Sequence, residues 1–295
     1  MTVKLAINGF GRIGRNILRA LMERPEADLQ VVAINDLAPL ETNAHLFEFD
    51  SVHGRYGRPV TLGANTIDVG RGAIRVTAIR EPHALPWGDV DIVLECTGFF
   101  RSPEKAALHL ASGAKRVLIS APGKGDVKTI VYGVNHEIIT GDDRIISNAS
   151  CTTNCLVPVA HVLHEAFGIT RGHMTTVHSY TGTQPVHDRA HKDLYRARAA
   201  AMSMIPTTTG AAETLGVVLP HLDGRITGTA IRVPTPNVSC VDLVVETVKN
   251  VTPDDVNQAM QDAADGLLRG VLGITDRKLV SIDFNHDPHS AIFAS

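Results

Sequence analysis

The sequence predicts an α/β protein, a doubly wound parallel sheet followed by an α+β domain with a mixed or antiparallel sheet. Three observations carry that prediction. Short apolar, β-branched runs alternate with helical patterns through the first half; a glycine-rich turn joins the first strand to the first helix; and after residue 150 the alternation gives way to longer strand-like runs with segregated helices. At 295 residues and 44% hydrophobic content the chain can bury a large core, and it is expected to form two domains, 1–150 and 151–295.

Val3 to Asn8 is a short apolar run, and Gly9-Phe10-Gly11-Arg12-Ile13-Gly14 follows at once, opening a helical pattern that continues to Arg24. Strand, glycine turn and helix are the context that the G-x-G-x-x-G fingerprint of a Rossmann-type dinucleotide-binding domain requires. Gly9 permits the tight turn, Gly11 lets the backbone approach a pyrophosphate, Gly14 lets helix and strand pack closely, and the helix N-terminus favours the phosphates. A second strand, Leu29 to Ile34, ends in Asn35-Asp36, about twenty residues on, where a carboxylate accepts hydrogen bonds from an adenosine ribose. A carboxylate there repels a 2′-phosphate, so the expected cofactor is NAD rather than NADP. The alternation continues with a strand over Val90 to Glu95, a helix over Ser102 to Ser112 capped by Ser102, and a strand over Arg116 to Ser120. Val60 to Arg80, irregular and glycine-bearing, is expected to form an inserted antiparallel piece.

A strand-like run, Arg144 to Ser147, leads into Ser147-Asn148-Ala149-Ser150-Cys151-Thr152-Thr153-Asn154-Cys155, and Leu156 to Phe167 is an amphipathic helix pattern. Cys151 is thereby placed in a helix's first turn. Unpaired backbone N–H groups and the positive end of the helix dipole favour a thiolate there, and the same N–H groups can hold a developing oxyanion. A free Cys near a helix start is more often a small buried residue. Wrapping by Ser, Thr and Asn favours an exposed reactive thiol instead.

Strands are then expected at Gly172 to Thr181, Ile226 to Val233, Val238 to Val248 and Val280 to Phe284, with helices at Thr214 to Leu219 and Thr252 to Leu268. Between Thr181 and Pro206 lies a His- and Arg-rich stretch without periodicity, of a length that is usually functional or interface-forming. His178, near the end of its strand and among hydroxyl-bearing neighbours, is the candidate base for a thiol nucleophile. Pro206 to Ala212 and Arg232 to Asn237 have the chemistry of anion-holding segments, hydroxyls and backbone N–H in the first and a guanidinium in the second.

Composition excludes several other classes. A net charge of −3, no basic run and 4% aromatic residues argue against nucleic acid or an anionic membrane as partner. The apolar run at the N-terminus is too short for a signal h-region or a membrane span, so a cytoplasmic protein is expected. Four scattered cysteines make no disulfide framework and no C-x-x-C pair. The pairs His161/His164 and His286/His289 lack a carboxylate in a recognised ligand pattern, so no metal is expected.

These segments together resemble the phosphorylating glyceraldehyde-3-phosphate dehydrogenases: N-G-F-G-R-I-G at Asn8 to Gly14, S-N-A-S-C-T-T-N-C at Ser147 to Cys155, T-T-V-H at Thr175 to His178, and R-V-P-T-P-N-V-S at Arg232 to Ser239. The resemblance runs from Val3 to the last residue. It implies Cys151 as nucleophile and His178 as its activator, with Arg12, Ile13, Asp36, Arg80 and Ser120 at cofactor-contacting positions. It places Ser150, Thr152, Thr181, Thr209, Gly210 and Arg232 where a sugar phosphate and inorganic phosphate are held, and it implies a homotetramer whose loop after His178 lies at a subunit interface near the nucleotide sites. The implied reaction oxidises glyceraldehyde 3-phosphate to 1,3-bisphosphoglycerate through a cysteine thiohemiacetal and thioester. Two departures stand out. Many relatives carry an arginine pair where this chain has Tyr195-Arg196, so Arg196 or Arg198 is expected to take the phosphate contact. Family members also continue past Ser295 into a strand and a long helix returning to the nucleotide domain, so this chain is expected to bind NAD weakly. Two alternatives remain: an erythrose-4-phosphate dehydrogenase, disfavoured by Thr207-Thr208-Thr209-Gly210, and a non-catalytic binding protein on a truncated fold.

Overall fold

A computed structural model of the chain describes residues 2–295. It resolves into two compact units, the chain up to Ile130 together with Ile139–Ala149, and Val131–Ile138 together with Ser150–Ser295.

In the first unit β1 (Val3–Asn8) and α1 (Arg12–Met22) are followed by β2 (Leu29–Asn35), α2 (Leu40–Glu48) and a short hairpin of β3 (Phe49–Asp50) and β4 (Gly54–Arg55). Then come β5 (Thr61–Leu62), β6 (Thr66–Asp68), β7 (Ala73–Thr77), β8 (Ile92–Glu95), α3 (Pro103–Ala111), β9 (Arg116–Ile119), β10 (Lys128–Thr129) and β11 (Ile145–Ser147). One sheet takes all but the hairpin, in the order β10-β11-β9-β8-β1-β2-β7-β6-β5. β1 pairs in parallel with β2 on one side and β8 on the other, so the chain winds outward from β1, returns, and winds outward again. That reversal is the topological switch point, at which ligands bind outside the carboxyl ends of the strands. The expected inserted piece is antiparallel at β5, β6 and β7, but β7 also pairs in parallel with β2 and so extends the main sheet.

Alternate residues of β1 serve opposite faces, as the pleat demands. Leu5 and Ile7 join Phe10, Leu18, Ile34 and Phe47 in one buried cluster, whereas Ala6 packs with Ala33, Trp87, Val90 and Val93 in another. Each large buried side chain contributes roughly 1.5–3 kcal/mol. Ser102 caps α3 as expected, its hydroxyl accepting from the Lys105 N–H.

The second unit contains α4 (Cys151–Phe167), β12 (Ile169–Ser179), β13 (Ile205–Thr207), α5 (Ala211–Val218), β14 (Ile226–Val233), β15 (Cys240–Thr247), α6 (Pro253–Asp265), β16 (Leu272–Thr275) and β17 (Ala291–Ala294). Its four-stranded sheet has the order β13-β14-β12-β15 and is mixed, with β12 and β14 parallel and the outer pairs antiparallel. α4 packs against α5 and α6. The α6 N-terminus is a capping box in which the Thr252 hydroxyl accepts from the Asp255 N–H and the Asp255 carboxylate accepts from the Thr252 N–H.

The strand expected at Val280 to Phe284 is instead a 3₁₀ turn, Ser281–Phe284. Asp283 explains the difference. Its carboxylate accepts from the Val280 N–H while its own N–H donates to the Val280 carbonyl, closing the backbone locally and leaving the alternating Val280 and Ile282 exposed.

Candidate active site

The polar ends of the central strands define the first unit's cavity. Strand register sets Asn8 beside Asn35 on one side and Glu95 on the other. The Asn35 amide donates to the Asn8 side-chain oxygen at 2.8 Å, and the Asn8 amide donates to Glu95 Oε2 at 2.7 Å. His109 Nε2 lies 2.9 Å from the same carboxylate oxygen, and Trp87 Nε1 donates to His109 Nδ1 at 3.0 Å. An indole N–H is only a donor, so His109 Nδ1 accepts and the ring proton sits on Nε2, facing the carboxylate. Glu95 Oε1 accepts from the Thr97 N–H and hydroxyl.

Above this row opens a cavity of about 460 Å³ whose lining includes Gly9, Gly11, Asp36, Arg80, Thr97 and Phe99. Gly9 has φ +93°, and a Cβ there would lie 2.8 Å from the Thr97 nitrogen; a Cβ at Gly14 would lie 2.2 Å from the Gly9 carbonyl oxygen. Both positions therefore require glycine. At Gly11 a Cβ would meet only open space, which leaves that backbone free to approach an occupant of the cavity. Asp36 accepts from the Phe10 N–H at 2.7 Å and the Ala38 N–H at 2.9 Å, pinning the glycine turn to the end of β2.

The other expected cofactor residues are arranged less directly. Arg12 pairs with Asp50, and Ile13 is exposed. The Ser120 hydroxyl donates to the Glu95 carbonyl and bonds to Cys96, a partly buried residue whose thiol is pushed up by desolvation to about 11 and which also lines the cavity. Thr97, Phe99 and the Asn8–Glu95–His109–Trp87 chain were not singled out from the sequence. The available signal was a Glu and two Asn at the ends of buried apolar strands.

In the second unit Cys151 is the first residue of α4. Ser150 is the N-cap, its hydroxyl accepting from the Thr153 N–H at 3.1 Å, and the buried Ala149 before it has φ +55°, a strained conformation for a residue with a Cβ. The Cys151 N–H thus has no acceptor within the helix and the thiol sits at the positive end of the dipole. α4 also carries Pro158, fully within its span, which removes one backbone hydrogen bond.

β12 delivers His178, whose Nε2 lies 3.4 Å from Cys151 Sγ. Burial pushes the Cys151 thiol up, but the hydrogen bond and charge of His178, with the Thr152 hydroxyl and N–H, outweigh it, and the thiol lies below its ordinary value. Cys155, one turn further along α4, has no such partner, and burial pushes its thiol up to about 11.

Parallel register puts Arg232 of β14 beside His178, with Nη1 2.8 Å from His178 Nδ1 and 2.9 Å from the Ser179 carbonyl. Arg196 lies close enough to lower the Arg232 guanidinium, after burial, and its Nε donates to the Thr207 hydroxyl at 2.9 Å. Tyr195 is exposed, and Arg198 pairs with Asp188 at 2.8 Å. The Thr209 hydroxyl accepts from Ala211 N–H, Gly210 is the N-cap of α5, and Thr181 bonds to the Thr183 hydroxyl and to Gln184.

Family comparison covers both parts of the chain. Residues 3–103 match the NAD binding domain of glyceraldehyde 3-phosphate dehydrogenase, and residues 150–295 match its C-terminal domain. The chain belongs to the glyceraldehyde-3-phosphate dehydrogenase family. It is 64% identical over 293 residues to the glyceraldehyde-3-phosphate dehydrogenase of Cereibacter sphaeroides and 61% identical over 295 residues to that of Xanthobacter flavus, in both cases over 99% of this chain and 88% of the relative. The Geobacillus stearothermophilus enzyme is 56% identical over 288 residues, 97% of this chain and 85% of the relative. Membership gives the cavity above β1 its place in an NAD-binding domain and the Cys151–His178 pair its place in the dehydrogenase C-terminal domain.

Proposed function

We propose that the protein oxidises glyceraldehyde 3-phosphate with NAD and inorganic phosphate, yielding 1,3-bisphosphoglycerate. The observation that carries this is Cys151 Sγ at a helix N-terminus, 3.4 Å from His178 Nε2, in a chain whose relatives bear that enzyme's name. The cofactor fits the residues present: Gly9 and Gly14 accept no Cβ, Gly11 faces open space, and Asp36 lines the cavity as a ribose acceptor. Arg12, Ile13, Arg80 and Ser120 complete that site, and NAD supplies the hydride acceptor. The division of labour follows, residues 1–150 holding the cofactor and 151–295 the substrate.

Cys151 loses its proton to His178, and its sulfur adds to the aldehyde carbon while the carbonyl π electrons move to oxygen. The Cys151 N–H and the His178 imidazolium stabilise that oxyanion. After loss of hydride from the same carbon a thioester remains. A phosphate oxygen attacks the thioester carbon, the C–S bond breaks, and the acyl phosphate leaves with Cys151 again a thiolate. Arg232, Arg196, Thr181, Thr209 and Gly210 hold the two phosphates, with Thr152 and Ser150 shaping the Cys151 turn. Arg196, beside Arg232, takes the role of the family's missing arginine; Arg198 is turned to Asp188.

The protein acts in the cytoplasm as a homotetramer. Support comes from the exposed apolar side chains of the segment after His178, Val186, Leu194, Met202 and Met204, which suit an interface between copies. No helix among the described residues is long and apolar enough to cross a membrane. Steady-state assay with triose phosphate, NAD and phosphate against erythrose 4-phosphate tests the reading. A kcat/KM favouring the four-carbon sugar, or no turnover with either, overturns it.

A further inference from the structure

The acceptor behind His178 is a backbone carbonyl, and the loop between β14 and β15 aims it. The Ser179 carbonyl oxygen lies 2.7 Å from His178 Nδ1 and accepts from Arg232 Nη1 at 2.9 Å. Once His178 has taken the Cys151 proton, both ring nitrogens carry hydrogen, and this oxygen is the acceptor at Nδ1. A carbonyl has no rotamer with which to adjust. Its direction is set by the plane of its peptide unit, whose other end is the Tyr180 N–H. β14 pairs with β12 as far as Ser179 and β15 only as far as Val177, so that N–H lies beyond the sheet ladder.

The loop takes over from the sheet there. The Tyr180 N–H donates to the Thr235 carbonyl at 3.0 Å, and the N–H of the preceding peptide, that of Ser179, donates to the Ser239 hydroxyl at 3.1 Å. Between these two grips Val238 has φ +64°, a conformation that a β-branched residue rarely adopts and that persists only where its surroundings over-determine it. Next to Val238, the Asn237 amide donates to the Asn285 side-chain oxygen at 2.9 Å, across 48 residues of chain. Asn285 is followed by His286 at φ +69°, so each partner of this bond precedes a strained residue. The Asn285 segment is folded on itself and offers a firm anchor. The Asp283 carboxylate accepts from the Val280 N–H, the Asn285 N–H donates to the Ile282 carbonyl, and the Asp287 carboxylate accepts from the His289 N–H.

We propose that Asn237 and Asn285 are positioning residues for the base. Their hydrogen bond holds the Thr235–Ser239 loop against its own strain, the loop fixes the peptide after His178, and the Ser179 carbonyl of that peptide sets the imidazole in line with Cys151. This rests on the reading of His178 as the group that activates Cys151. The charged and titratable groups facing His178 are Cys151 from α4 and Arg232 from β14, whose Nη1 also lies 2.8 Å from Nδ1, with Arg196 close to Arg232. Neither asparagine carries a charge. A change in the Cys151 thiol on replacing one of them by an uncharged residue therefore reports geometry rather than a lost ion pair.

The test reads the iodoacetamide rate at Cys151 against pH in the full chain without substrate. His178 lowers the Cys151 thiol through its hydrogen bond and its charge, against burial, so a misplaced imidazole moves the rise of the rate to higher pH. Asn237→Leu and Asn285→Leu keep charge and bulk while removing the bond between the loops, and Ser239→Ala removes the acceptor of the Ser179 N–H. Each should lower the rate on its rising limb about tenfold, the ratio that one hydrogen bond to a charged group maintains, and should reach the wild-type plateau at high pH. Added to His178→Asn, Asn237→Leu should change the rate less than about twofold, because the imidazole through which it acts is gone. A merely structural role would lower the thermal midpoint and leave the pH profile in place. The wild-type profile in any of the three variants, or a second tenfold fall on top of His178→Asn, would overturn the proposal. Asn285→Ala makes the same loss without apolar bulk and decides the matter should a Leu variant fail to fold. Turnover with triose phosphate is measured separately, so displaced profiles in a protein that does not turn over would sink the enzymatic reading alone.

Discussion

The polar row beneath the first unit's cavity and the polar group around Cys151 use similar residues at strand ends to opposite effect. Beneath the cavity, Asn8, Asn35, Glu95, His109 and Trp87 satisfy one another, with both carboxylate oxygens of the fully buried Glu95 occupied by donors. Around Cys151 the accounting is incomplete: Arg232 Nε is buried without a partner, His178 Nδ1 lies within hydrogen-bond distance of both the Ser179 carbonyl and Arg232 Nη1, and the Cys151 residue reaches the surface although its thiol is partly desolvated. The first is a closed network that sets the shape of a floor. The second is an open one, as expected of a site that a ligand would complete.

Breaking the open network should cost activity before stability. Cys151→Ser should lower turnover by at least about 10³-fold, because a hydroxyl beside His178 is a far poorer nucleophile than a thiolate. Turnover within tenfold of wild type would remove Cys151 from the mechanism. His178→Asn should lower kcat by about 10²- to 10⁴-fold, the usual worth of a positioned acid–base group, with the thermal midpoint nearly unmoved.

Breaking the closed network should do the reverse. Glu95→Ala leaves the Asn8 amide, His109 Nε2 and Thr97 N–H without their acceptor, and the loss should reach about 3 kcal/mol or more at 1–3 kcal/mol for each orphaned donor. Urea unfolding followed at Trp87, which lies in this chain, reads it directly. A midpoint equal to wild type would mean that the row is not holding the sheet ends together.

The smallest expected effect is on cofactor choice. Asp36→Ala should narrow the preference for NAD over NADP by about tenfold in kcat/KM, by removing a carboxylate that repels a 2′-phosphate. An unchanged ratio would show that Asp36 serves only to hold the Phe10 and Ala38 N–H groups.

What was legible in the sequence follows the same division. β1, Gly9, Gly14 and α1 could be read because the glycines answer to sterics within a few residues, and Cys151 because its helix start is local. The Cys151–His178 pairing needed the 27-residue separation to be closed by β12, and His178 was selected by chemistry and resemblance among fourteen histidines. The Asn8–Glu95–His109–Trp87 chain escaped because the register of β1 and β8, helix α3 and the loop carrying Trp87 create it together. The strand expected at Val280 to Phe284 failed because Asp283 closes a turn that apolar alternation does not reveal. Tyr195-Arg196 left two arginines open, and both carry an ion pair, Arg196 with Asp193 at 3.7 Å and Arg198 with Asp188 at 2.8 Å.

The central claim is that Cys151, and no other thiol, is activated. Iodoacetamide at less than one equivalent, followed by mass spectrometry of the peptides and residual activity, tests it most directly. The Cys151 thiol lies below its ordinary value and those of Cys96 and Cys155 are pushed up to about 11, so as pH rises the Cys151 rate should reach its plateau first. Near neutral pH the label should appear on Cys151 alone, and activity should fall in proportion to its occupancy. Full activity with Cys151 carrying the label would contradict the account.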